Sequence, residues 1–573
     1  MYRFSVVLLS ILQVGAVTFL PKREYNISLQ VKTTNGIVQG RKMATENGKR
    51  YFAFRGIPFA RPPLEDLRFR SPQPPEEWKQ VVDATKDVVS CMEVQTRSTR
   101  VQIVGSEDCL YLNVYTPVGN LKEEQGSLPV FFYIYGGGFY EGTSSDEIYG
   151  PGHFIDQNAI LVIANYRLGL FGFLSTEDLA SPGNYGLKDQ HLALLWVKSN
   201  IRYFGGNPQK VVIIGQSAGA NSVMHHVISP KSKGLFSAAV PLSGDTLVEW
   251  GNQRSPKSIA QDVAITLGIP YQNTTKFVET LRRLPSKKLQ KANLEVTLVR
   301  LTSMLMDGYA FTPTIEVDHK DAFITDLTYN SLENGNFAKV PIIMGMTSLE
   351  TVFFAVLTGP VRFLLLLYDL SPPMLLARLN TMNQRQKYEI AKMIKKAYFQ
   401  GDFLASASKE NITQYLTDKM FLRPLMKTSR LLSKYTNVFF YVYDYTIPVA
   451  KEYYKNLGYL IDTEIKGAGH CEDLACYFTS KYLPKDPILT DLEMKHCGKM
   501  RKFLMNLALF GNPTPQKDNE LQNLLWTPVK NPRELNYLHI AENYTIKQNY
   551  RGEFVRLWDN IFETYVKKPY KTY

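Results

Sequence analysis

Scarcity narrows this chain before any motif does. Five cysteines in 573 residues exclude a disulfide-dense small scaffold. Cys471 and Cys476 have no second close pair at zinc-site spacing, so a structural metal centre is not expected. Cys91 and Cys109 would close a modest loop, whereas Cys471, Cys476 and Cys497 cannot all pair among themselves, which leaves at least one thiol free or intermolecular. No Gly/Ser-rich linker, charge block or low-complexity tract divides the chain, and no repeat of roughly 20 to 50 residues is present. With 45% hydrophobic residues the expectation is one large α/β domain with insertions over residues 17–573.

Uninterrupted apolar runs of membrane-spanning length are also missing after the first residues. The stretch 352–370 is broken by Pro360 and Arg362, so it reads as core or pocket wall and not as a membrane span. A lipid-facing role for it, and with that a lipase, is the rival reading. The N-terminus carries Arg3, an apolar run from Phe4 to Leu12 and small residues up to Ala16, the layout of a secretory signal over residues 1–16. Sequons at Asn26, Asn273, Asn411 and Asn543 fit a secreted glycoprotein. The KTY end shows neither an ER-retention signal nor a lipid-anchor tail. The net charge of +13 comes from Lys and Arg spread along the chain, densest in the 566–573 tail, which reads as a frayed, solvated terminus. No nucleic-acid motif accompanies the charge, so nucleic acid is not an expected partner.

Residues 211–220, VVIIGQSAGA, contain the informative signal. Val211–Ile214 is a short apolar run, as in a strand buried on both faces of a parallel sheet, and ANSVMHHVIS reads as a helix. Between them Gly215-Gln216-Ser217-Ala218-Gly219 places a serine on a strand-to-helix turn, the context that makes G-x-S-x-G a nucleophile elbow. The helix N-terminus puts free N–H groups beside Ser217. Upstream, the strand Val130–Ile134 runs into Tyr135-Gly136-Gly137-Gly138, so the N–H groups of Gly137, Gly138 and Ala218 are the candidate anion site.

Eight histidines compete to be the base. His225 and His226 lie on the serine's own helix, about 12 Å along its axis, and read as packing or surface residues. His153, His191, His319, His496 and His539 lack an obvious polar partner and read as surface. His470 follows two glycines in a loop downstream of the strand 438–445. Glu350 lies just beyond an apolar strand expected at Val340–Met344, at the sheet edge where catalytic groups gather, and is the candidate acid. The order Ser217, Glu350, His470 is that of α/β-hydrolases.

The segments YFAFRGIPFARPP, SEDCLYLNVYTP, YGGGF, NYRLGLFGFLST, GNYGLKDQHLALLWVKSNIRYFGGNP, GQSAGA, GMTSLE and GAGHCEDL resemble the type-B carboxylesterase and cholinesterase family over nearly the whole mature length. The resemblance implies an α/β-hydrolase fold and a secreted serine carboxylesterase acting on small-molecule esters, with Ser217 as nucleophile, Glu350 as acid and His470 as base. It also implies Gly137, Gly138 and Ala218 as oxyanion hole, a Cys91–Cys109 disulfide, and no metal or organic cofactor. Gln216 is similar to the motif of juvenile hormone esterases, which makes that hormone a narrower candidate substrate. Two positions depart from the family pattern: Tyr135 replaces its usual histidine, and Thr351 its usual glycine. The Cys91–Cys109 loop contains no aromatic residue to hold a choline ammonium, so acetylcholine is a poor candidate. Because relatives of this fold can lose the triad, a non-catalytic adhesion protein is the alternative from another class. Oligomeric state is not legible.

Overall fold

The computed structural model describes residues 25–573 except 98–99, 118–125, 254, 353–364, 373–381, 457–464, 484–488 and 531–533. The leader expected at 1–16 and most of the 352–370 stretch lie outside the described residues. The strands are β1 (Tyr25–Thr33), β2 (Gly36–Ala44), β3 (Arg50–Pro58), β4 (Val82–Asp83), β5 (Glu93–Arg97), β6 (Arg100–Val104), β7 (Tyr111–Thr116), β8 (Leu128–Ile134), β9 (Ile160–Ala164), β10 (Gly206–Gln216), β11 (Ala238–Leu242), β12 (Ile342–Thr347), β13 (Val438–Tyr443), β14 (Asn536–Ile540) and β15 (Tyr544–Gln548).

All but the β5–β6 hairpin join one sheet, in the order β1-β2-β3-β7-β9-β8-β10-β11-β12-β13-β14-β15 with β4 beside β2. From β9 through β8 to β14 every neighbouring pair is parallel, while β1-β2-β3-β7-β9 and β14-β15 pair antiparallel. The sheet is therefore a mixed α/β-hydrolase sheet with a parallel centre. Every residue of β9, β11, β12 and β13 is buried, as strands covered by helices on both faces require. The chain leaves β8 toward β9 on one side, and leaves β10 toward β11 on the other. Between β8 and β10 lies the switch point, where a crevice opens at the strands' carboxyl ends.

The expected strand at Val340–Met344 lies instead at Ile342–Thr347, because Val340 is spent in a turn to the Ala338 carbonyl and Pro341 has no N–H to give the sheet. The tail is not frayed. Tyr570, Thr572 and Tyr573 are buried, the Tyr573 N–H donates to the Leu247 carbonyl, and the Tyr570 ring packs on Tyr329 and Phe562. Aromatic burial outweighed the solvation of the tail's lysines.

Cys91–Cys109 is a disulfide, as the resemblance implied. A second, Cys476–Cys497, ties the turn Glu472–Cys476 to the helix Asp491–Phe510, leaving Cys471 outside any disulfide among the described residues.

Candidate active site

Ser217 joins β10 to the helix Ala218–Ile228 with φ 58° and ψ −122°, a backbone conformation that L side chains rarely adopt. Hydrogen bonds hold it there, from Ser217 N–H to the Leu242 carbonyl and from Asn221 N–H to the Ser217 carbonyl, both 2.9 Å. The two glycines of the motif are steric necessities. A Cβ on Gly219 would stand 2.0 Å from the Ile134 carbonyl oxygen, and one on Gly215 would stand 2.4 Å from that of Gly219. Strand and helix can cross this closely only without side chains.

Gly137 and Gly138 follow β8 with φ 108° and 57°. A Cβ on Gly137 would meet the Glu141 carbonyl oxygen at 2.1 Å, and one on Gly138 the Tyr140 ring at 2.5 Å. Among the described residues neither N–H has a hydrogen-bond partner. Gly136 lies against the elbow, its added Cβ 3.1 Å from Ser217 Cβ, so the glycine turn and the serine share one crevice. Ala218, first residue of its helix, adds an N–H without an intrahelical acceptor.

Glu350 lies three residues beyond β12, fully buried, and its Oε2 is 2.5 Å from His470 Nδ1. Its other oxygen accepts from the Thr347 N–H at 2.9 Å. The two loops are joined by a backbone bridge between Leu349 and Gly469 and by Ser348 Oγ accepting from the Ala468 N–H at 3.1 Å. Thr351, in the place of the family's glycine, anchors the acid's loop, its hydroxyl donating to the Thr413 carbonyl at 2.8 Å. Tyr135, the other departure, turns into the core, where it stacks on Tyr166 and accepts from that residue's N–H at 3.1 Å.

Burial opposes charge on His470, whereas Cys471 and Glu350 favour it, and the balance raises the imidazole well above its ordinary value. Burial also raises the Cys471 thiol, against the opposing pull of the His470 charge. Behind the pair sit two more buried carboxyls. Burial, then the charge of Glu350, pushes Asp473 up to about 7, and burial pushes Glu472 up to about 7.

The other histidines are placed away from this pairing. His225, His226 and His496 are buried, and the surface reading of His496 is wrong because it stacks on Tyr445 and bonds the Tyr544 hydroxyl at 3.1 Å. His539 and His319 face Asp444 and Glu316, and His191 bonds Ser232.

Sequence reasoning missed a line of rings. Phe421 packs on His470 with centroids 5.2 Å apart, Trp250 on Phe421 at 5.6 Å, Tyr309 on Trp250 at 6.5 Å and Tyr140 on Tyr309 at 5.4 Å, ending beside Gly138. These rings come from four separate segments and carry no local signal. An aromatic wall thus runs from the histidine to the glycine turn and suits an apolar ligand group.

The family model described as "Carboxylesterase family" matches residues 27–558. A carboxylic ester hydrolase of Bombus ignitus is 33% identical, covering 96% of this chain and 97% of its own. A juvenile hormone esterase of Tribolium castaneum is 32% identical over 90% and 89% respectively. The crystal structure of juvenile hormone esterase from Manduca sexta, with OTFP covalently attached, matches with a TM-score of 0.82 at 25% identity, covering 94% of this chain and all of the other. The chain thus has the α/β-hydrolase fold and belongs to the carboxylesterase family of carboxylic ester hydrolases.

Proposed function

We propose that the protein is a secreted serine carboxylesterase in which Ser217, His470 and Glu350 form the catalytic triad. The observation that carries this reading is the 2.5 Å contact between His470 Nδ1 and Glu350 Oε2 at the crevice that also holds the Ser217 elbow and the glycine turn. Glu350 fixes the tautomer with the proton on Nδ1, so Nε2 is the basic nitrogen. As Ser217 Oγ bonds to the ester carbonyl carbon, its proton passes to Nε2 and the carbonyl electron pair moves to oxygen. The N–H groups of Gly137, Gly138 and Ala218 stabilise that oxyanion, each donor contributing about 3 kcal/mol. Collapse expels the alcohol, which takes the proton from His470, and water then cleaves the acyl-enzyme by the same steps. No cofactor enters this scheme.

The aromatic wall favours esters with a bulky apolar portion. Juvenile hormone is one such ester, and the named insect relatives include esterases for it. Secretion is supported by the two disulfides, which persist in oxidising compartments, and by the exposure of the sequon residues Asn273, Asn411 and Asn543. Asn26 lies in the edge strand β1, next to Tyr25 at its start.

The test is kcat/KM on p-nitrophenyl esters from acetate to decanoate and on juvenile hormone, with Ser217→Ala as control. Loss of turnover in the variant together with an organophosphate adduct on Ser217 of the wild type is expected. Turnover surviving in Ser217→Ala would remove the nucleophile assignment, and no turnover or adduct in the wild type would favour an adhesion protein. A strong preference for juvenile hormone would make the narrower reading the right one.

A further inference from the structure

The scheme above leaves one polar side chain at the reacting atoms without a role. Gln216, last residue of β10, is buried, and its amide Nε2 is 3.0 Å from His470 Nε2. The other end of the amide faces the glycine turn, where a Cβ on Gly136 would stand 2.9 Å from Gln216 Oε1. Gln216 therefore bridges the anion-site turn and the histidine.

Which end of the amide meets the ring follows from the opposite side of the imidazole. A carboxylate accepts and cannot donate, so Glu350 requires the proton on Nδ1. Nε2 of the neutral ring is then an acceptor and needs a donor, which the amide NH2 supplies. Around His470 the titratable groups are Glu350, Cys471, Glu472 and Asp473, the last accepting from the Tyr441 hydroxyl at 3.2 Å. Glu350, bonded at Nδ1, favours a charged ring, and Phe421 contributes no charge. Gln216 is the neutral group bonded to the nitrogen that must be unprotonated when Ser217 attacks.

Resting on the triad reading, we propose that Gln216 is a positioning residue for the base. Its amide donates to His470 Nε2 in the resting site, holds the ring in place, and yields that lone pair to the Ser217 hydroxyl as the ester binds. When Nε2 takes the proton released by Ser217 Oγ, the amide rotates about its last torsion and offers Oε1 as acceptor. A glutamine can serve both protonation states of the ring; a glutamate would stabilise only the charged one.

The experiment is the pH profile of kcat/KM for wild type, Gln216→Glu and Gln216→Met, run beside Ser217→Ala. A carboxylate beside Nε2 favours the imidazolium, so the acid limb of Gln216→Glu should move up by about 1 unit or more. On the acid side that is a loss of at least about tenfold, recovered at high pH. Gln216→Met keeps the bulk and removes the hydrogen bond, and its kcat should fall about tenfold or more across the pH range with KM little changed. An acid limb of Gln216→Glu that superimposes on the wild type overturns the proposal, as does wild-type kcat in Gln216→Met. Should Gln216→Glu fail to fold, the methionine variant decides. Turnover in Ser217→Ala would instead strike the triad reading, while an inert Ser217→Ala with unmoved Gln216 variants leaves the triad intact and removes Gln216 alone.

Discussion

The Leu349 N–H donates to the Ala468 carbonyl at 2.9 Å, and this bond locks the loop of Glu350 to the loop of His470. Glu350 and His470 lie 120 residues apart in sequence, so their short contact depends on this seam between two loops. Gly467 makes the seam possible: its φ is 133°, and an added Cβ would stand 2.5 Å from Leu349 Cδ1. Gly467→Val should therefore part the loops and lower kcat/KM by about 100-fold, the cost of a displacement near 1 Å. Far-UV circular dichroism should be unchanged. Wild-type kcat/KM in this variant would show that the seam does not position the triad.

Glu350→Gln keeps the size of the acid and removes its charge and its demand for Nδ1–H. A fall in kcat of about 10⁴ is expected, the scale seen when the orienting carboxylate of such a triad becomes an amide. Single-turnover acylation measured by stopped flow would check it. A loss below tenfold would mean that another group orients His470.

Gly219→Ala forces a methyl to 2.0 Å from the Ile134 carbonyl oxygen, where the obstacle is backbone and cannot swing away. Both function and fold should suffer, with destabilisation of about 3 kcal/mol or more. Denaturant midpoints of the two proteins would report it. Equal midpoints would show that β8 and the elbow helix can separate without cost.

Asp473 is held protonated in the fold to about pH 7, against an ordinary value of 3.8. The folded state thus binds a proton that the unfolded chain has already released. The stability this gives is complete below about pH 4 and lost as pH rises through about 7. Its upper bound is about 4 kcal/mol, and Glu472 acts in the same direction. Tm should fall from pH 5 to pH 8, and Asp473→Asn should flatten that fall. A steeper fall in the variant would contradict the assignment.

The Cys476–Cys497 bridge spans 21 residues, a closure worth about 3 kcal/mol on chain-entropy grounds. Replacing both cysteines by serine should lower Tm, and it should also loosen Glu472–Cys476, the turn directly after His470 and Cys471. A comparison of organophosphate labelling rates below Tm would separate the two effects. An unchanged Tm would show that the bridge does not constrain the fold.

Local pattern was enough to place Ser217, because an apolar strand, small residues and a helix pattern meet within ten positions. The glycine turn was legible for the same reason. Glu350 was legible although its strand lay a few positions further on, since Pro341 forbids the earlier start. What escaped was nonlocal. Cys497 reaches Cys476 because its helix packs over that turn, and the aromatic wall is gathered from four segments between Tyr140 and Phe421. The tail was misread by counting its lysines and not its tyrosines. The Gln216 contact with His470 bridges 254 residues, and the sequence marks the glutamine without saying what it touches.

That separation also has a meaning in time. A ribosome releases Ser217, its elbow and the glycine turn long before His470, so on the proposed triad a nascent chain displays a nucleophile with no base. On that proposal hydrolytic competence arrives only when β12, β13 and the loop after them have been added to the sheet. Reactivity at Ser217 is therefore a report on the completion of the molecule, and an active-site label would count finished folds and pass over partial ones.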